Sequence, residues 1–314
     1  MQATQWKNQY WYSYNDYLTS HFGERVYKLT ISAGFTCPTR DGTKGTRGCA
    51  FCDMRGSSSF FSSNQAQLEI RKQLERSMPH IRSRFGANKF IAYFQSYTNT
   101  YGPLSYLQEV YDGAITVPNI VGLAIGTRPD CLPNEVLDLL NHYGKSRYVC
   151  IELGVQSFRN ESLQFYERGH SSEESIDAIQ RIKRFSNIHI SAHLMFGAPG
   201  ETKADILAAA KTLNLLQVNG VKIHQLMVLK NTLLEEQFKL QPWELLSLEN
   251  YNELAMTFLE NLDKHIHVER THAAASHLDE LIGPTWSAQR FLPLNSLKQM
   301  MHTRCSYQGK NLAH

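Results

Sequence analysis

Nothing in this sequence comes near the roughly 18 uninterrupted apolar residues that a membrane-spanning helix needs. A secretory start is missing too: MQATQWKNQYWYSYNDYL is polar and aromatic, without the apolar stretch of a signal peptide. Like charges never run to five or six in a row, no segment is of low complexity, and no repeat of fixed period occurs. Charged residues are only 19% of the chain, with a net charge of +3. That balance permits a polyanionic partner through a local patch and does not require one. Cysteines are few, six in 314 residues, too sparse for the disulfide scaffold of a small secreted domain. The expectation is a cytoplasmic protein with no membrane partner.

What is present is a core. Hydrophobic residues make up 42%, enough for one large unit, and α/β barrels reach about 250 residues as a single domain. Helix or turn over 10–24 leads into a strand at Val26–Ser32. A helix at 64–85, a strand at Lys89–Gln95 and a helix at 103–112 follow. IVGLAIG at 120–126 is an apolar run suited to burial on both faces. Pro133 starts a helix to Tyr143; Tyr148–Gln156 is a strand, and helices cover 159–166 and 173–185. His189–Phe196, a helix at 202–218 and a strand at 221–229 complete the alternation. Repeated strand–helix order with right-handed crossovers predicts an α/β fold, a partial barrel of six β/α units. The remainder reads as helices near 242–264 and 276–282, a strand at 266–270 and a polar tail. The predicted organisation is an N-terminal extension (1–24), a barrel core (25–232) and a mostly helical C-terminal extension (233–314) packed on it.

Half of the cysteines fall in one stretch. GFTCPTRDGTKGTRGCAFC holds Cys37, Cys49 and Cys52, and its glycines and Pro38 rule out a regular element. Cys49 and Cys52 form C-x₂-C, with Cys37 set back by an eleven-residue gap. Three thiolates on a loop leave one position open on a four-iron cluster, whereas a structural zinc site fills all four of its own. From the cysteine pair alone iron and zinc stand even, with unmetallated thiols a third reading. Cys131, Cys150 and Cys305 lack metal spacing; the first two read as core thiols and the last as exposed.

Beyond the loop, polar residues cluster at strand ends, where barrels place their chemistry. Glu152, Gly154 and Gln156 share one face of the fourth strand by alternation. A buried polar group there needs a partner, since leaving one unpaired costs roughly 2–7 kcal/mol. His193 on the fifth strand, and Lys222 and His224 on the sixth, point to the same pocket if the register holds. Trp6, Tyr10, Trp11, Tyr12, Tyr14 and Tyr17 crowd the start, and Arg71, Lys72, Arg76, Arg82, Arg84 and Lys89 make the second helix basic. Rings of this kind stack on unpaired bases and such cations meet phosphates. Packing across the barrel's open side and a solvated helix face explain them equally.

The run AGFTCPTRDGTKGTRGCAFC, with YNDYL, FQSYTNTY, GTRPDCLP, ELGVQS, GAPGET, IGPTWS and SYQGK, resembles the radical S-adenosylmethionine (SAM) superfamily over nearly the whole chain. The gap between Cys37 and Cys49 differs from the usual C-x₃-C-x₂-C and is similar to a branch related to the Elongator catalytic subunit and to oxygen-independent coproporphyrinogen oxidases. The resemblance implies a [4Fe–4S] cluster on Cys37, Cys49 and Cys52 and SAM as second cofactor. It implies Thr98, Asn99 and Thr100 at the SAM amino group, Gln156 and Arg168 as further SAM contacts, Glu152 beside them, and Gly197 and Gly200 at the adenine. His193 stands where relatives carry an aspartate; with Lys222 and His224 it is a catalytic candidate. Thr271–Ser276 replaces a glycine- and aspartate-containing segment of the relatives. The implied chemistry is reductive cleavage of SAM to a 5′-deoxyadenosyl radical, fed by a one-electron reductant such as flavodoxin or ferredoxin. The implied partner is tRNA and the implied target the C5 side chain of the wobble uridine, with conversion of carboxymethylaminomethyl to aminomethyl as the specific candidate. A small-molecule or porphyrin-like substrate is the alternative, and a non-catalytic zinc-binding interaction protein a third.

Overall fold

The computed structural model describes residues 6, 7, 9–52 and 70–312; the predicted helix start at 64–69 and the end of the cysteine stretch lie outside them. In chain order the elements are α1 (Tyr14–Phe22), β1 (Val26–Ile31), α2 (Ile70–Phe85), β2 (Lys89–Phe94), α3 (Leu104–Ile115), β3 (Ile120–Thr127), α4 (Asn134–Gly144), β4 (Tyr148–Gln156), α5 (Asn160–Phe165), α6 (Ser172–Ile182), β5 (His189–Phe196), α7 (Lys203–Leu216) and β6 (Gly220–Gln225). Then come β7 (Val228–Leu229), α8 (Leu233–Leu240), α9 (Leu248–Glu260), β8 (His267–Arg270), β9 (Leu281–Gly283) and α10 (Leu292–Thr303).

Seven strands form one parallel sheet in the order β1-β2-β3-β4-β5-β6-β8, curled into a half-barrel. The two inner strands show why. β4 is buried at every position, and β3 at all but two, so both faces are covered and the residues are apolar almost throughout. Helices start where capping chemistry allows: Ser171 with Glu174, and Thr202 with Asp205, form reciprocal capping boxes at α6 and α7.

The half-barrel has a seam, because β1 and β8 are not paired with each other. α1 packs across its lower part against both strands. Tyr17 stacks on His267 with ring centroids 4.3 Å apart, Tyr14 stacks on Tyr17, and Ser13 bridges to Val268. The aromatic N-terminus is therefore engaged in packing. Gln308 closes this region. Its backbone N–H donates to Tyr10, its Oε1 accepts from the Tyr12 N–H at 2.9 Å, and its Nε2 donates to the carbonyls of Asp263 and Ile266.

The C-terminal third departs most from expectation. The predicted strand at 266–270 is β8, and it extends the six-stranded core by a seventh parallel strand. The predicted strand at 221–229 breaks after Gln225, whose fully buried amide turns aside to bond the Ala273 backbone. Val228–Leu229 instead pairs antiparallel with β9. Residues 276–282 are not a helix; the Leu281–Ile282 pair is drawn into that small sheet and Glu280 accepts from Lys230 N–H. The helix expected near 242–264 is α9, which starts after the Ser247 cap, and Pro242, without an N–H, separates it from α8. α10 was not expected at all: Pro293 in its first turn and Leu297 and Met301 on its buried face make it.

Candidate functional site

At the C-terminal ends of the strands lies a cavity of about 320 Å³ whose wall includes Cys37, Cys49 and Cys52. Thr98, Glu152, Gln156, Arg168, His193, Lys222 and His224 share that wall. A larger hollow of about 1130 Å³ behind the β1–β3 end loops holds none of the three cysteines.

The cysteine loop is shaped by its own backbone. Cys37 O accepts from Arg40 N at 2.8 Å, Gly48 N donates to Thr39 O, and Cys52 N donates to Cys49 O at 2.9 Å. Gly48 sits at φ 84°, where a side chain would strain the chain and meet Arg40. Cys49 is buried and receives the Arg168 Nη1 at 3.0 Å and the Arg128 Nη1 at 3.6 Å. A hydrogen bond from Cys52 and these two guanidinium groups outweigh burial and hold the Cys49 thiol well below its ordinary pKa. Cys37 Sγ lies 2.9 Å from the Thr98 hydroxyl. Among the described residues no three His, Cys, Asp or Glu side chains gather as one metal ion would need them. A donor set of three spaced thiols around one cavity suits a cluster, in which each thiolate takes a different iron.

β4 supplies the next part of the wall. Gly154 leaves room for its neighbours: a Cβ there would stand 3.1 Å from both Arg168 Nη2 and Gln156 Nε2 and oblige them to shift. Arg168 Nη2 donates to Gly154 O at 2.8 Å, so the same guanidinium binds the strand and Cys49. Gln156 lies at φ 66° beside a register shift between β4 and β5. Its buried Oε1 has no hydrogen-bond partner, and the residue belongs to the cavity wall.

The floor is an ionic network. Glu152 Oε1 accepts from Lys28, and Glu152 Oε2 accepts from Lys222 at 2.9 Å and from the Tyr93 hydroxyl at 2.5 Å. Lys28 also reaches Glu269 Oε2 at 2.6 Å. Burial by itself would raise the Glu152 pKa; Lys222 and Lys28 win and hold it well below the carboxylate range. Burial lowers the Lys222 pKa, which Glu152 only partly offsets. His193 and His224 face each other with centroids 4.8 Å apart. Burial, then mutual and neighbouring positive charge, pushes His193 well below its usual value, and burial with Arg270 takes His224 to about 3. Both are neutral imidazoles near pH 7. The His224 Nδ1–H donates to Gln225 O at 2.7 Å, which leaves Nε2 as an acceptor.

Not every predicted residue reaches this cavity. Asn99 and Thr100 do not line it. Asn99 Nδ2 ties the ends of β2 and β3 through Phe94 O and Gly126 O, and the Thr100 hydroxyl bonds Thr127 and Cys131 O. Gly197 and Gly200 also lie off the wall; Gly197 N donates to Glu201 at 2.6 Å and Gly200 sits by Arg159. The basic face of α2 is partly spent: Arg71 pairs with Glu75 and Arg82 lies over Phe90. Conversely, sequence reading passed over Arg128, Lys28, Tyr93 and Arg270. Arg128 stood in view inside GTRPDCLP; the other three sit in ordinary alternating strands. The segment Ala273–Ser276 forms part of the rim.

Residues 42–213 match the radical SAM superfamily and residues 218–303 the Radical_SAM C-terminal domain. YtqA of Bacillus subtilis (strain 168) is 32% identical over 300 residues, 96% of this chain and 92% of that protein. The tRNA uridine(34) acetyltransferase of Methanocaldococcus infernus is 37% identical over 122 residues, 38% of this chain and 22% of that protein. The solved structure of Methanocaldococcus infernus Elp3 with an N-terminal deletion matches with a TM-score of 0.68 at 21% identity, covering 90% of this chain and 64% of that one. At that identity the likeness is one of fold, and this chain spans less than two-thirds of the Elp3 chain.

Proposed function

The chain belongs to the radical SAM superfamily, and on that premise we propose that it modifies the C5 side chain of the wobble uridine in tRNA. The observation that carries the substrate is the 37% identity over 122 residues to a tRNA uridine(34) acetyltransferase. The cofactors of the superfamily are a [4Fe–4S] cluster and SAM. Bound together, they supply reductive cleavage of SAM to a 5′-deoxyadenosyl radical that takes hydrogen from the substrate.

In this reading Cys37, Cys49 and Cys52 hold the cluster, and Arg168 and Arg128 keep Cys49 ready as a thiolate. Gln156 Oε1, an acceptor without a partner, takes a hydroxyl of the nucleoside part of SAM. Thr98 stands at the amino-acid part, and Gly154 leaves the space that Arg168 crosses. The Glu152 network fixes the floor, with Lys222, His193 and His224 the groups nearest an incoming substrate. The neutral histidines accept hydrogen bonds and hold no charge against it. A one-electron reductant of the flavodoxin or ferredoxin type is the required partner.

Anaerobic purification tests the cofactor assignment. A brown protein absorbing near ~400 nm with about four irons per chain is expected, and a colourless protein that takes up no iron on reconstitution contradicts it. The substrate is tested by comparing tRNA nucleosides from cells with and without the protein. Loss or accumulation of one wobble-uridine species is expected; identical nucleoside profiles remove tRNA from the proposal.

A further inference from the structure

The floor of the cavity carries more positive charge than its own acids neutralise. Lys28, Lys222 and Arg270 meet there with two carboxylates, Glu152 and Glu269. Lys28 bonds both carboxylates and Lys222 bonds Glu152; the second oxygen of Glu269 is buried without a hydrogen-bond partner, and both acids act on Arg270 only through space. Arg270 makes no ion pair among the described residues. Its Nη2 lies 3.4 Å from His193 Nε2, and its buried Nε has no partner. Burial pushes its pKa below that of an ordinary guanidinium. A buried cation of this kind is unfavourable unless something pairs with it, and a planar fork of N–H donors is matched best by a carboxylate or a phosphate.

The position of Arg270 shows how such a group would arrive. It ends β8, one lip of the unpaired seam. Above α1 a second cavity of about 1160 Å³ opens on that flank between α2 and α10. The two cavities share Tyr93, Lys222 and Arg270 as their common wall. Lys7, Arg76 and Lys298, with His80 beside them, stand round the flank cavity against two acids, Asp16 and Glu269, the second of which is paired with Lys28. A mouth of that sign draws in anions.

We propose that the Arg270 guanidinium is the receptor for an anionic oxyacid group of the substrate, a carboxylate or a phosphate, which reaches the cofactor cavity through the flank. This deepens the reading above and rests on it for the location of the chemistry. A wobble-uridine side chain ending in a carboxylate satisfies it, as does a nucleotide phosphate.

The test uses the purified full chain. Melting temperatures are measured at matched ionic strength in sodium chloride, sodium acetate and sodium phosphate, for the wild-type chain, Arg270→Met and Arg270→Gln. Acetate or phosphate is expected to raise the wild-type midpoint over chloride by at least about 1 °C, and neither variant keeps the rise. The anion giving the larger Arg270-dependent rise identifies the group. No rise in the wild-type chain, or the same rise in both variants, overturns the proposal. SAM affinity of the reconstituted variants is expected to match wild type, and a tenfold loss would assign Arg270 to the cofactor instead. Unchanged cellular wobble nucleosides alongside an intact anion effect would sink the tRNA reading and leave the Arg270 receptor standing.

Discussion

Replacing Glu152 by glutamine tests the ionic floor most directly. Glu152 is 5% exposed and both its oxygens are engaged. Glutamine keeps the shape and removes the charge. Lys28 retains Glu269, so the loss falls on Lys222, left with the Tyr93 hydroxyl at 3.1 Å. At 2.9 Å and an effective dielectric constant near 20, the lost attraction is about 6 kcal/mol before compensation. Lys222 recovers part of this by shedding its proton, which burial already favours. Removing one partner of a buried pair costs roughly 3–5 kcal/mol, and with the second lysine still paired the expected loss is about 3 kcal/mol. With an unfolding entropy of about 2.1 cal/mol/K per residue over 314 residues, that corresponds to a fall in melting temperature of about 4–5 °C. The sign of the pH effect follows from Lys222. Its native pKa lies below the unfolded one, so the unfolded chain binds more protons between them and stability rises with pH. The deficit of Glu152→Gln against wild type should therefore narrow from pH 7 towards pH 9.5. Adding Lys222→Met should restore at least half of the loss, a coupling of about 1–3 kcal/mol in a double-mutant cycle. A fall below about 3 °C, or Lys222→Met adding its own full cost to the first, refutes the ion-pair account.

Other expectations follow from the same geometry. Cys49→Ala is expected to lose both the ~400 nm absorbance of the cluster and SAM cleavage, and 5′-deoxyadenosine formation by that variant contradicts the ligand assignment. Glu201 is held neutral to higher pH than usual: burial raises its pKa to about 7, against partial opposition from the Gly197 N–H. The stability it contributes is complete below its unfolded value of 4.5 and lost as pH rises through about 7. Glu201→Gln should remove that slope and exceed wild type by about 2–3 kcal/mol at pH 8, as read by urea melts at pH 5 and 8; parallel curves for the two proteins refute it. Gly154→Val drives a side chain into Arg168 and Gln156, costing about 1–3 kcal/mol in overpacking. Its SAM affinity by equilibrium dialysis should fall at least about tenfold, and unaltered binding refutes a cofactor at that wall.

The parallel strands were legible because burial on both faces leaves few choices: IVGLAIG at 120–126 and YVCIELGVQ at 148–156 are readable with no knowledge of their neighbours. The cysteine loop was legible because thiols and glycines are rare enough to be noticed. What could not be read is pairing across the sheet. Lys28 in VYKLTI and Tyr93 in KFIAYF look like ordinary outward positions, and only the curl of the barrel brings them to Glu152. Asn99 and Thr100 are ambiguous for the converse reason. Their residue types suit a ligand, yet the same hydroxyls and amides tie adjacent strand ends, and sequence does not say which. α10 was passed over because its polar positions outnumber its buried ones, Pro293, Leu297 and Met301, so an apolar stripe of three hardly stands out.

Gln308 carries a consequence for the order of assembly. The amide that latches residues 10 and 12 to the 263–266 turn lies 296 positions downstream of Tyr12. On a ribosome adding about 5–20 residues per second, roughly 15–60 s separate the two ends of that latch. The three cysteines, the last of them 40 residues after Tyr12, are made early in that interval, long before Gln308. The cysteine loop is thus complete well before Gln308 can tie the N-terminal residues to the 263–266 turn.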